Sequence, residues 1–299
     1  MFSKYYRVGG HLLEIVFTNE GVGEELIPSF RPFHLSEPAE GEEPLFTLTV
    51  DEDFRFEGEL DEVGQFDGSG NNYGVYQLSD GGYYIEISNP DRRLCGVLYA
   101  DKLFRHCTVG FMTPEPQNRA FSLNNSLMMA YAFAAAEKQT VLLHASVIRK
   151  DGYGYLMTAP SGTGKSTHTF LWYKNIPGCD LMNDDNPVVR IVDGQPIVYG
   201  TPWSGKTPCY RNIEAPVGAI VRIQQRKRNE IRRMKTIEAM AQLLPAASSM
   251  KWDERVYMGV SDTLMGIISS IAVYELGCLP DADAALLCYS TVKRVVTEN

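Results

Sequence analysis

The stretch Tyr155-Leu-Met-Thr-Ala-Pro-Ser-Gly-Thr-Gly-Lys-Ser-Thr constrains this chain more than any other, because it dictates a strand, a loop of small residues and a helix start in immediate succession. Backbone N–H groups turned inward across Ser161, Gly162, Thr163, Gly164 and Lys165 make an anion cradle, and the dipole of the following helix adds partial positive charge. Lys165 has the reach for β and γ phosphate oxygens. Ser166, followed by Thr167, places a hydroxyl for Mg²⁺. Ala159 stands where the loop pattern carries its first glycine, so positive φ is not expected there. A chance Gly-rich turn is the competing reading. The apolar run before the loop and the helix-compatible Ser-Thr-His-Thr-Phe-Leu-Trp-Tyr after it favour the cradle.

A metal-bound triphosphate needs carboxylates as well. The next apolar stretch, Cys179-Asp-Leu-Met-Asn-Asp-Asp, ends in Asp184 and Asp185. Adjacent residues on a strand point to opposite faces, so one carboxylate can serve Mg²⁺ and the other an acceptor hydroxyl. Asp184 is the first choice for the acceptor side. Asn-Asp-Asp-Asn-Pro is also good turn chemistry, but its place one helix after the loop favours the site. His144 lies in Val141-Leu-Leu-His-Ala-Ser-Val-Ile, which predicts a buried strand, where a lone histidine is ordinarily a core residue. Lys206 and Arg211, in Trp203-Ser-Gly-Lys-Thr-Pro-Cys-Tyr-Arg, offer positive charge for a transferring phosphoryl group, or are exposed basic residues of a loop.

The order His144-Ala-Ser, Ala-Pro-Ser-Gly-Thr-Gly-Lys-Ser, Asn-Asp-Asp, Gly200-Thr-Pro-Trp and Ala215-Pro resembles the catalytic domain of HPr kinase/phosphorylase over residues 140 to 225. The resemblance implies a P-loop domain of the PEP carboxykinase/HPr kinase-like kind with a mixed sheet. It also implies ATP and Mg²⁺ as cofactors, proton transfer by His144 and Asp184, phosphate and metal binding by Lys165 and Ser166, and a homo-oligomer. The loop and the Asp-Asp strand are also similar to ATP-dependent PEP carboxykinase, a much longer enzyme. Ile197 and Tyr199 stand where HPr kinase has a glutamate and an arginine, which puts a second metal ligand and the phosphorylase activity in doubt.

The rest of the chain bounds this reading. At 299 residues and 44% hydrophobic content a sizeable core can be buried,. Residues 1–120 read as a β-rich domain of short alternating runs and Gly/Asn/Pro turns. Residues 121–299 read as the P-loop domain with a helical C-terminal part, for an α/β (α+β) protein overall. A helix over 124–137 is expected to pack on the kinase-like sheet, with further helices over 236–244, 262–271 and 281–292. Net charge of −9 argues against nucleic-acid and anionic-membrane surfaces,. A basic run from Arg222 to Lys235 is a docking patch for an acidic partner or a solvated face. The start Met-Phe-Ser-Lys-Tyr-Tyr-Arg-Val has no signal-like apolar region and no apolar stretch is long enough to span a bilayer, so a soluble, cytoplasmic protein is expected. Six cysteines without C-x-x-C spacing read as reduced core thiols,.

These readings converge on an ATP- and Mg²⁺-dependent phosphotransferase. Its acceptor is a hydroxyl, on a serine of a peptide or protein or on a small molecule. Asp184, His144 and Asp185 form the catalytic set, and Ser166, Asp184 and Asp185 the metal set. Two alternatives stay open: a noncatalytic nucleotide-binding and peptide-recognition module, and a PEP carboxykinase-like enzyme.

Overall fold

The computed structural model describes residues 1–19, 23–68, 71–205 and 207–294. The chain divides into two compact units. One comprises Met1–Ala135 with Met250–Glu254, the other Ala136–Ser249 with Arg255–Asn299.

The first unit is built on β1 (Phe2–Val8), β2 (His11–Phe17), β3 (His34–Leu35), β4 (Phe46–Val50), β5 (Asp61–Gly68), β6 (Asn71–Gln77), β7 (Tyr83–Ser88), β8 (Leu94–Ala100) and β9 (His106–Phe111). They form one sheet in the order β3-β1-β2-β4-β9-β8-β7-β6-β5. Alternation drives it: Phe46, Leu48 and Val50 are buried on β4 while the threonines between them are not,. The β1–β2 hairpin turns on Gly9 and Gly10, with φ of 54° and 77°. Such a two-residue turn demands positive φ at both positions, which glycine supplies without strain.

Helix α1 (Pro116–Ala134) covers this same sheet through β8, β9, β4 and β7. The sequence expectation of a later helix lying on the other sheet is therefore corrected. Pro116 opens the helix in its first turn, where a missing N–H costs nothing,. Two of its polar residues bond within this unit: Asn125 Oδ1 accepts from the Tyr73 hydroxyl (2.9 Å) and the Tyr131 hydroxyl donates to the Val8 carbonyl (3.1 Å). The returning segment joins in as Asp253, whose Oδ2 accepts from the Tyr83 hydroxyl (2.9 Å).

The second unit holds β10 (Thr140–Leu142), β11 (Ala145–Lys150), β12 (Tyr153–Thr158), α2 (Lys165–Asn175), β13 (Asp180–Asp185), β14 (Val188–Val192), β15 (Gln195–Tyr199), β16 (Glu214–Gln225), β17 (Glu230–Arg233), α3 (Thr236–Leu243), α4 (Glu254–Ser270), β18 (Val273–Cys278) and α5 (Ala282–Val292). The sheet runs β10-β14-β15-β16-β12-β11-β13, with β18 on β16 and β17 on β18. Parallel pairs β12–β16 and β16–β18 sit beside antiparallel β11–β12 and β11–β13. Both sheets are thus mixed, in an α/β protein.

One face of this sheet is closed by α2 and α5. Trp172 lies at the centre, fully buried between Tyr155 (5.2 Å between ring centroids) and Tyr289 (5.4 Å). Tyr155, Met157, Ala219, Val221 and Ile223 supply the sheet's side of that core. Burying each large side chain of this kind contributes about 1.5–3 kcal/mol before entropy is charged. Helix α4 begins at Glu254, about two turns before the sequence suggests, because Val256, Val260, Leu264 and Ile267 continue the buried stripe,. All six cysteines are buried free thiols. Among the described residues no helix is long and apolar enough to cross a membrane.

Candidate functional site

Between β12 and α2 the chain turns through Gly162 (φ 75°) and Gly164 (φ 115°), while Ala159 needs no positive φ and is buried in the core. The Thr163 N–H donates to the Pro160 carbonyl (3.2 Å), and Gln225, at the end of β16, donates from Nε2 to the Thr163 carbonyl (3.1 Å). The turn is therefore set before any ligand arrives. Lys165, 9% exposed, folds back over the end of β12. Its Nζ donates to the Ala159 carbonyl (3.3 Å) and lies 2.6 Å from His144 Nε2.

His144 sits in the break between β10 and β11 rather than inside a continuous strand. Its N–H donates to the Ala246 carbonyl (2.7 Å), and its Nδ1 is 3.2 Å from Asp185 Oδ1. Burial lowers the imidazole pKa; Asp185 opposes that and Lys165 adds to it. A neutral ring with Nδ1–H toward Asp185 and the Nε2 lone pair toward the ammonium satisfies both contacts,. Burial likewise raises the Asp185 carboxyl, against the pull of His144 and Lys165. It lowers the Lys165 ammonium, with Asp185 and Asp184 opposing and Arg222 adding to the effect.

Strand register separates the two aspartates. Asp184 is paired with Ser146 and Asp185 with Ala145, so their side chains leave opposite faces. Asp184, 3% exposed, faces α2, where Ser166 Oγ donates to its Oδ1 (2.9 Å). Thr169 donates to Ser146 on the same side (2.9 Å). Asp185 faces the other way and accepts from Asn186 Nδ2 on Oδ2 (2.7 Å). The expectation that His144 assists Asp184 is corrected on this point, because the imidazole bonds to Asp185.

Asn183 was not singled out by its sequence. Its buried Nδ2 donates to Thr201 Oγ1 and the Trp203 carbonyl (both 3.1 Å), fastening the following loop to the end of β13. The Gly205 N–H then bonds to the Asp184 carbonyl. A polar residue beside an Asp-Asp pair in an apolar strand was the available signal.

The structure does not bring Arg211 to the loop. Its Nη1 bonds to Asp180 Oδ2 (2.6 Å), and Arg149 holds the same carboxylate (2.9 Å). Asp180 begins β13, five residues and about 16 Å from Asp185,. Lys206 lies outside the described residues. Three arginines of the basic run are paired within the chain: Arg226 and Arg228 with Glu230 (3.0 Å each), and Arg232 with Glu238 and Glu275. An open cleft of about 480 Å³ adjoins the loop, lined by Gly162, Gly164, His168, Leu171, Gln225 and Arg226 among others.

Ser161, Gly162, Thr163, Gly164, Lys165, Ser166 and Thr167 thus form one turn, with Asp184 behind it and His144 and Asp185 in front. Ser166 and Asp184 could hold a metal. Among the described residues no group of three or more His, Cys, Asp or Glu side chains forms a cage, so such a metal would take its other ligands from phosphate and water, as Mg²⁺ does.

No protein-family model matches the sequence, and no curated protein does. Among solved structures, the Hpr(Ser) kinase/phosphatase from Coxiella burnetii is similar, at 13% identity and a TM-score of 0.32, over 50% of this chain and 87% of that one. A likeness at that level carries no functional weight; the geometry of the loop end does.

Proposed function

We propose that the second unit is an ATP-dependent phosphotransferase acting on a hydroxyl. The observation that carries this reading is the chain Lys165–His144–Asp185 standing across the loop mouth from the pair Ser166–Asp184. A passive anion cradle needs a lysine and backbone amides only. A neutral imidazole bridging the loop lysine to a half-exposed carboxylate adds a proton acceptor on the open side, the arrangement hydroxyl activation requires.

The parts divide as follows. Backbone amides from Gly162 to Lys165 and the Lys165 ammonium bind phosphate oxygens. The cleft beside Gly164 receives the nucleoside, which distinguishes a nucleotide from bare pyrophosphate. Ser166 and Asp184 fit Mg²⁺: the Asp184 Oδ2 is buried and lacks a hydrogen-bond partner among the described residues, an orphan that a cation would satisfy. When bound, the ion neutralises phosphate charge. Asp185, oriented by His144, takes the acceptor proton. The acceptor oxygen bonds to the γ phosphorus as the bond to the β–γ bridging oxygen breaks, and ADP leaves with that electron pair. A serine of a peptide or protein, or the hydroxyl of a small molecule, is the acceptor class.

Calorimetry with Mg·ATP on wild type and Lys165→Ala tests the first half, with binding expected in the former and lost in the latter. An acceptor screen for phosphoryl transfer tests the second. Tight binding with no transfer to any hydroxyl would favour the noncatalytic module. Mn²⁺-dependent release of CO₂ from oxaloacetate would instead favour the carboxykinase. No binding of ATP, GTP or pyrophosphate would remove the reading altogether.

A further inference from the structure

The sheet face opposite α2 carries an arginine that the loop pattern does not use. Arg222 on β16 is in register with Thr158, Thr158 with Ala145, and Ala145 with Asp185. Register partners share a face, so Asp185, Thr158 and Arg222 form one row across the strand ends. Three strand spacings of about 4.8 Å separate the outer two backbones by about 14 Å. Two inward-reaching side chains and one phosphoryl group fill that span.

Arg222 is half-buried and is held by one neutral contact, its Nε donating to Gln242 Oε1 (3.0 Å). The carboxylate next to it in register, Glu275, is engaged by Arg226 (3.3 Å) and Arg232 (3.2 Å) and by Gln224 Nε2 (3.0 Å). Among the described residues no carboxylate lies within ion-pairing distance of Arg222. Its charge is nevertheless felt at Lys165, whose ammonium it disfavours, and burial disfavours its own, with Glu275 opposing. In the same row the Thr158 hydroxyl is fully buried with no hydrogen-bond partner among the described residues. A half-buried guanidinium whose register-neighbour carboxylate is already engaged by two other arginines, in line with a buried orphan hydroxyl, suits an anion held between it and the loop lysine,.

We propose that Arg222 is a catalytic residue that binds the γ-phosphoryl group during transfer, its guanidinium fork oriented by Gln242. The inference rests on the reading of the loop as a nucleotide site. Lys165 then meets the phosphates from the loop side and Arg222 meets the terminal one from the acceptor side. A planar fork suits the equatorial oxygens of a phosphoryl in flight. Because β- and α-phosphates lie back in the loop, Arg222 discriminates ATP from ADP.

The experiment measures the dissociation constants of Mg·ATP and Mg·ADP by calorimetry for wild type, Arg222→Gln, Arg222→Lys and Lys165→Ala. In Arg222→Gln the affinity for ATP falls about tenfold to a hundredfold, with ADP affinity unchanged as the evidence of an intact fold. Arg222→Lys, which keeps charge and loses the fork, falls between. Lys165→Ala weakens both nucleotides. An unchanged ATP-to-ADP ratio in Arg222→Gln, whether both affinities hold or fall together, overturns the role of Arg222 and leaves the nucleotide reading standing. Wild type that binds neither nucleotide overturns both.

Discussion

The two faces of the sheet end in the second unit carry the same kinds of groups under opposite conditions. On the α2 side Ser166 bonds to Asp184 and Thr169 to Ser146 (2.9 Å each), with Asp184 3% exposed. On the other side Asp185, His144 and Arg222 stand partly exposed, with His144 between Lys165 and Asp185 and Arg222 held by the neutral Gln242. One residue of strand pleat makes this difference. Adjacent aspartates of the same chemistry are assigned by register alone to a closed, metal-suited face and an open, acceptor-suited one.

The sharpest way to break that division is to neutralise each aspartate in turn. Asp185→Asn is expected to lower phosphoryl transfer by about 10²- to 10⁴-fold with Mg·ATP affinity retained. Asp184→Asn is expected to raise the Mg²⁺ concentration needed for ATP binding. Titration of Mg²⁺ at fixed ATP, alongside transfer rates, separates the two. If Asp184→Asn left the Mg²⁺ requirement untouched and Asp185→Asn shifted it, the faces would be assigned the wrong way round.

The histidines extend the comparison. His168 on the closed face is 2% exposed, accepts from Trp172 Nε1 (3.1 Å), and is pushed by burial to a pKa of about 4. Its unfolded value is about 6.5. As pH falls below 6.5 the unfolded chain takes up a proton that the fold refuses, so stability is full above 6.5 and is lost progressively toward pH 4. The loss is on the order of 3 kcal/mol by linkage. Thermal midpoints of wild type and His168→Gln between pH 7.5 and 4.5 check this: the wild-type slope should exceed the mutant's. His144, on the open face, is more exposed and already engaged by Lys165 and Asp185, so His144→Gln should change transfer more than acid stability.

Gly164 joins the two faces. Its φ of 115° is one that side chains rarely adopt, although no nearby group crowds the position beyond Thr167 Cβ at 4.0 Å. Gly164→Ala is expected to cost about 1–3 kcal/mol through backbone strain alone and to weaken ATP and ADP equally, since the loop amides serve both. Denaturant unfolding measures the first and calorimetry the second. Unequal loss would mean the loop addresses one phosphate rather than the chain of them.

What was legible in the sequence was whatever chemistry lies close along the chain. The loop, the helix after it, and an aspartate pair at the end of the next strand are local patterns, and the structure places them at one end of the sheet. The partner of His144 was not legible, because whether Asp184 or Asp185 faces α2 depends on the register of β11 against β13. Arg222 was read only as the start of a basic run, for the same reason: three successive strand pairings are what set it in line with Asp185. Arg211 misled in the opposite sense. It lies near the loop's partners in sequence, yet Asp180 captures it at the far end of β13. The start of α1 at Pro116 was missed because its exposed first turn lacks an apolar stripe, while the start of α4 was missed although Val256 and Val260 carry one.

The smallest expected effect is the most discriminating control for Arg222. Arg232 is another arginine of the same basic run, and it too lies beside Glu275, but it is half-exposed and bonded to two carboxylates, Glu238 and Glu275. Its charge is spent inside the chain, and exposed ion pairs contribute little. Arg232→Ala should leave the ATP-to-ADP affinity ratio unchanged and the thermal midpoint nearly so, with Arg226 still holding Glu275. If Arg232→Ala shifted the ratio as Arg222→Gln does, discrimination would come from the diffuse positive field of the whole run. A shift confined to Arg222 would place it in one guanidinium whose counter-ion the fold leaves to the ligand.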